Sequence, residues 1–171
     1  MFNTTVSGSG PVLVWAHGLM HSMDFETRTG WFHPTENDGV CRVRYDTRGH
    51  GHSPGGTDSA AYLWSAQADD LLAIASAHTA LPRALGGHSM GAACALLAAL
   101  KSPELTSCLI LATPPTAWQT RPRQVHRYRQ MQRIIEQRGL SSLVNLTMQN
   151  PALPDWLLQA HPQHAAASQQ A

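Results

Sequence analysis

Apolar positions along the chain alternate between short unbroken runs and longer stretches with helical spacing. Residues 11–16 (Pro-Val-Leu-Val-Trp-Ala) form a compact apolar run without polar alternation, as expected of a strand covered on both faces. Residues 40–45 are the next strand, followed at 46–56 by a loop rich in glycine with a proline. Residues 59–80 read as a helix whose sheet-packing face carries Leu63, Ala66, Asp70, Ala73 and Ala77, with Leu71, Leu72 and Ile74 beside them. Residues 83–85 are a poor strand by propensity, because Gly86 and Gly87 follow at once. Their place between two helices makes them a strand nonetheless. Residues 92–100, all small or unbranched at Cβ, predict a helix that Pro103 breaks. Residues 107–112 then predict another strand buried on both faces. A weaker pattern suggests a short helix at 23–32.

This alternation of strand and helix predicts parallel strands joined by right-handed crossovers, with a site beyond the carboxyl ends of the strands. His17, Asp46, Ser89 and Thr113 all fall at such ends. From Trp118 the character changes. Arg121, Arg123, Arg127, Arg129, Arg133 and Arg138 crowd a helical stretch with Val125, Tyr128, Met131 and Ile135 at its apolar positions. These arginines are either a basic wall facing an acidic substrate or, more simply, the solvated side of an amphipathic helix. Gly139 ends that helix, 140–148 predict another, and 161–171 read as a frayed end.

Composition narrows the class. With 171 residues the chain is one domain's worth, and 12 Lys and Arg against 11 Asp and Glu leave a net charge of +1. Nothing in that balance asks for nucleic acid or an anionic membrane, and no apolar stretch is long enough for a span. The polar, glycine-rich start lacks a signal pattern, so a cytoplasmic protein is expected. Cys41, Cys94 and Cys108, each among apolar neighbours, suggest reduced, packed thiols. None of the ten histidines has metal-ligand spacing with a cysteine or carboxylate on a helix. His50 and His52 come nearest, and a glycine loop explains them better. No metal and no cofactor are expected.

The chemistry concentrates at Gly87-His88-Ser89-Met90-Gly91, which fits G-x-S-x-G. Small residues two before and two after a serine let a strand and a helix pass closely around a sharp, strained turn. That turn lifts the serine hydroxyl above the sheet end and aims the next residue's N–H, that of Met90, at the same space. The plainer alternative is a serine capping a helix. At 17–22, Gly18 permits a tight turn that frees the Leu19 N–H as a second donor for an oxyanion; alone, it reads as an ordinary turn. In the loop 46–56, Asp46 and Arg48, two apart, are placed to lock the loop through a charge-assisted hydrogen bond.

Three motifs in this order, His17-Gly18, Asp46-Thr47-Arg48-Gly49-His50-Gly51-His52-Ser53 and Gly87-His88-Ser89-Met90-Gly91, resemble the α/β-hydrolase superfamily. Its 3-oxoadipate enol-lactonase and esterase branch is the most similar. The resemblance implies an α/β three-layer sandwich with a mostly parallel sheet, the N-terminal part of that fold, plus a partial helical cap. It implies a core at 1–117, a cap-like segment at 118–160 and a tail at 161–171. It also implies that Ser89 is the nucleophile and that Leu19 and Met90 supply the oxyanion hole, with His17, Gly18, Asp46, Arg48, Gly87, His88 and Gly91 in support. The substrate would be a small-molecule ester or lactone. A serine at position 89 speaks against the dehalogenase and epoxide hydrolase branches.

The superfamily order is nucleophile, acid, base. No Asp or Glu lies between Leu105 and Gln119, Glu136 and Asp155 fall in the cap-like segment, and His161 and His164 sit in the tail. The chain is therefore expected to stop within the cap, before the base. A serine hydroxyl without its histidine loses about 10⁶ in turnover, so the intact relative would be the hydrolase and this chain nearly inert. His126, His161 and His164 are not expected to substitute. The competing reading is a catalytically silent fragment or binding scaffold. Without the strands that follow it in the superfamily's sheet, residues 107–112 are also expected to form an open apolar edge through which the chain self-associates.

Overall fold

A computed structural model describes residues 1–32, 39–78, 83–115 and 121–149. Its sheet is built from β1 (Thr4–Ser7), β2 (Val12–Ala16), β3 (Cys41–Tyr45), β4 (Arg83–His88) and β5 (Thr106–Ala112) in the order β1-β3-β2-β4-β5. Strands β3, β2, β4 and β5 run parallel, as the alternation predicts. The short β1, antiparallel to β3, was not foreseen, because its sequence Thr-Thr-Val-Ser reads as a polar leader. Backbone bonds bring it in: the Asp46 N–H donates to the Asn3 carbonyl at 3.0 Å.

Register decides what each face holds. Val43 pairs with Val14, Val14 with Leu85, and Leu85 with Leu109, so one row of apolar side chains crosses the sheet. That row packs on α2 (Trp64–His78) and α3 (Met90–Lys101) through Ala68, Leu71, Ile74, Ala75, Ala95 and Ala98. The adjacent row, Arg44, Trp15, Gly86 and Ile110, points to the other side, where α1 (Met23–Arg28) lies with Glu26 bonded to Trp15. The result is three layers around a mostly parallel sheet, the architecture that the resemblance implies. Ser22 caps α1 by accepting from the Phe25 N–H at 3.1 Å.

Two expectations are corrected. Helix α2 buries Gln67, Ala68, Leu71, Ile74 and Ala75 rather than the row through Leu63, Asp70, Ala73 and Ala77. The cause is local: a 3-10 turn at Ser59–Tyr62, capped by Asp58, precedes an extended Leu63, which is left outside the helix and exposed. Strand β5 is not buried on both faces. Among the described residues it pairs with β4 alone, and Cys108, Ile110 and Leu111 are exposed. Of the three thiols only Cys94 is buried.

The chain divides into two compact units, Met1–Pro115 and Thr116–Ala171. The second contains α4 (Arg121–Arg138) and α5 (Leu140–Gln149), which pack together. Gly139, at φ 79°, turns the chain between them. Along α4 the half-buried stripe runs Gln124, Tyr128, Met131 and Ile134, while Val125 and Ile135 are exposed. Arg123, Arg127, Arg129, Arg133 and Arg138 are exposed, the solvated face of the helix. Among the described residues no helix is long and apolar enough to cross a membrane.

Candidate active site

The turn from β4 into α3 is built by two close backbone approaches. A Cβ on Gly87 would collide with the backbone of Gly91 and stand 2.8 Å from the Ala16 carbonyl oxygen. A Cβ on Gly91 would collide with the Ala16 carbonyl and stand 2.8 Å from that of His17. Both positions therefore require glycine so that α3 can start against the ends of β4 and β2. Between them Ser89 takes φ 52°, ψ −110°, a conformation rarely adopted by a residue with a side chain. Its N–H donates to the Ala112 carbonyl at 3.0 Å, which anchors the turn to β5. Its hydroxyl makes no capping bond to α3, which removes the helix-cap reading. Ser89 is partly accessible, and Met90 is buried at the first position of α3.

Strain gathers along this edge. Among the described residues three non-glycine residues have positive φ: Met20 at 62°, Ser89 at 52° and Thr113 at 42°. They follow β2, β4 and β5 respectively, at the carboxyl ends where a site is expected. The β2 turn closes when the His21 N–H donates to the Gly18 carbonyl at 3.1 Å. Leu19 is exposed there, and among the described residues neither its N–H nor that of Met90 has a hydrogen-bond partner. The sequence reading assigned Gly18 a conformational task, but φ at Gly18 is not positive; Met20 takes the left-handed step. What Gly18 supplies is room, since a Cβ there would stand 2.8 Å from His88 Nδ1 and 3.4 Å from His21 Nδ1.

His17 ties strand ends together. Its Nε2 accepts from the Thr47 N–H at 2.9 Å, so the proton resides on Nδ1, 2.8 Å from the Gly18 carbonyl. Burial holds its pKa down at about 4, although the bond to Gly18 opposes that shift. Asp46 is buried and accepts from the Met23 N–H at 2.8 Å, the His52 N–H at 2.9 Å and the Asn3 side-chain amide at 2.7 Å. Burial pushes its carboxyl up, but these hydrogen bonds outweigh that and leave it below the usual carboxylate range. The expected lock between Asp46 and Arg48 does not form. Arg48 instead makes a bidentate pair with Asp70 of α2, at 2.8 and 3.3 Å. Asp46 has three donors of its own, and Asp70 is left free to meet the guanidinium because α2 is rotated away from the predicted face.

A second polar group lies beside the turn. His88 stacks on His21 with ring centroids 5.0 Å apart. His21 is lowered to about 4 by burial and by its neighbour His88, and burial also lowers His88. Glu26 accepts from Trp15 Nε1 at 3.1 and 3.3 Å; burial raises its carboxyl to about 7, against the pull of Trp15 and Arg44. This grouping of His21, Glu26 and His88 was missed from sequence. No spacing rule joins residues brought together from a turn, a helix and a distant strand. His50, one of the histidines singled out there, places Nδ1 3.0 Å from the Arg48 carbonyl, within the glycine loop. Among the described residues of the first unit, no imidazole hydrogen-bonds the Ser89 hydroxyl. His161 and His164 lie outside the described residues.

The same architecture recurs in solved structures. A thermophilic esterase from Thermogutta terrifontis superposes with a TM-score of 0.74 at 21% identity, over 99% of this chain and 60% of that one. A structure from Nitrososphaera gargenis, from work on carboxylesterases, gives 0.79 at 17% identity, over 99% and 61%. Est816, an N-acyl homoserine lactone degrading enzyme, gives 0.67 at 16%, over 99% and 61%. The chain thus spans about three fifths of the length of these structures. No curated protein sequence matches it significantly. The family described as serine aminopeptidase, S33, matches residues 10–170. With the parallel sheet and the strained serine turn already in place, that match makes the chain a member of the S33 family of α/β hydrolases.

Proposed function

We propose that the site acts on carboxylic ester bonds, lactones included, by acyl transfer to Ser89. The observation that carries this is the turn itself: a serine at φ 52°, ψ −110° between two glycines in backbone contact, its hydroxyl free of any capping bond. In this reading the Ser89 hydroxyl adds to the substrate carbonyl and its proton passes to a base. The Leu19 and Met90 N–H groups, unpaired among the described residues, stabilise the oxyanion, and water then releases the acid. The substrate is a small molecule. Residues 118–160, which include α4 and α5, are the cap-like segment of this reading.

Since no imidazole of the described first unit bonds Ser89, the base is supplied by a residue outside that set. A fluorophosphonate probe tests the assignment, because it labels only an activated serine. This chain without such a base is expected to be nearly inert; in a protein that includes the base, the expected result is covalent labelling at Ser89, lost in Ser89→Ala, together with loss of p-nitrophenyl ester hydrolysis in the same variant. That protein, folded yet unlabelled, would overturn it and favour the catalytically silent scaffold.

A further inference from the structure

His21 in the β2 turn, Glu26 in α1 and His88 at the end of β4 play no part in the acyl chemistry proposed above, although they adjoin it. One ligand atom from each, two imidazole nitrogens and a carboxylate oxygen, all lie within 4.8 Å of one another. The Nδ1 atoms of His21 and His88 are buried and, among the described residues, have no hydrogen-bond partner, an arrangement that native interiors rarely leave unexplained. The space beside them is kept open by Gly18, where a single methyl group would press against His88 Nδ1 and touch His21 Nδ1. The carboxylate is oriented by the Trp15 indole N–H, the kind of outer partner that holds a metal-binding carboxylate in place. Glu26 is buried and the two histidines are partly buried, so the cluster is not a solvated surface group.

We propose that His21, Glu26 and His88 form a site for a divalent transition-metal ion of the zinc type. Two neutral imidazoles and one carboxylate are the donor set that such an ion takes with three protein ligands and one position left for water. Metal–ligand bonds of about 2.0–2.2 Å require the three side chains to draw in slightly from their present spacing. The bound ion would tie the β2 turn and α1 to the residue before Ser89. It does not depend on Ser89 being the nucleophile.

The test uses the full chain stripped of metal, with Zn²⁺ or Co²⁺ added alone. One equivalent of Co²⁺ should develop visible absorption bands of low-symmetry coordination, and Zn²⁺ should raise Tm and displace the cobalt. His21→Gln and Glu26→Gln should each weaken binding by more than the roughly 10–100-fold that loss of an outer-shell partner costs, whereas His126→Gln on α4 should leave it unchanged. If a ligand variant fails to fold, perturbation of the His21 and His88 ring resonances by Zn²⁺ in the unsubstituted protein serves instead. Absence of Zn²⁺-dependent stabilisation, affinity unaltered in His21→Gln and Glu26→Gln, or unperturbed ring resonances would overturn the proposal.

Discussion

On the side of α2 and α3 the sheet presents Val43, Tyr45, Val14, Ala16 and Leu85, and they meet Ala68, Leu71, Ile74, Ala75, Ala95 and Ala98. On the side of α1 the same strands present Arg42, Arg44, Trp15 and His88, with Gly86 leaving room for the Trp15 ring. The first face is held by burial, which is strong and indifferent to direction. The second is held by aimed contacts. Arg44 donates to the Met23 carbonyl at 2.6 Å and to Thr27 Oγ1 at 3.0 Å, and it lies over the Phe32 ring at 4.3 Å. Such a network adds less stability than an apolar core, but it fixes α1 in one position. The comparison teaches a division of labour: one face stabilises the sheet, and the other sets the geometry next to the strained turn.

The largest effect should come from the apolar face. Leu71 is fully buried among both helices and the sheet. Leu71→Ala should cost about 3 kcal/mol, within the usual range of about 2–5 for a buried leucine, read from the urea midpoint at constant m-value. A loss below about 1 kcal/mol would mean that this face collapses around the gap, and the contrast would fail.

The same division explains what the sequence made legible. An unbroken apolar run marked β2, and the glycines around Ser89 marked the turn, because burial and close backbone approach leave their signature at neighbouring positions. Asp46 and Arg48 misled because proximity in sequence says nothing about better partners elsewhere: Asp46 found three donors and Arg48 found Asp70. The run Ser-Cys-Leu-Ile-Leu-Ala by itself reads as a strand covered on both faces, because edge or centre is set by strand order; the exposed edge was expected only from the strands that follow in the superfamily's sheet. His21, Glu26 and His88 were illegible for the same reason, as their meeting is a product of topology.

The polar face should also make stability depend on pH. His17 titrates at about 4 in the folded protein against 6.5 when unfolded. Between those values the unfolded chain binds a proton that the native state refuses, so stability falls as pH drops from 6.5 towards 4. His21 and His88 act in the same direction. Glu26 opposes them: its folded value of about 7 against 4.5 means that its contribution is lost as pH rises through that window. With three histidines against one carboxyl, the protein should be less stable at pH 5 than at pH 7. His17→Gln should flatten that difference by about 2 kcal/mol, measured by urea unfolding at the two pH values. An unchanged slope would show that burial does not keep His17 neutral in the folded protein.

The finest test separates the directed contact from mere volume. Trp15→Phe removes the indole N–H that reaches Glu26 at 3.1 and 3.3 Å, and it also removes ring atoms packed near Phe32. Lost packing costs the same at any pH. The lost hydrogen bond does not, because a donor matters more to a carboxylate than to a neutral carboxyl. Glu26 passes from mostly protonated to mostly ionised between pH 6 and pH 8. The variant should therefore lose about 1 kcal/mol more stability at pH 8 than at pH 6. An equal loss at both values would reduce Trp15 to a space-filling residue, and the α1 face would then differ from the α2 and α3 face in composition but not in kind.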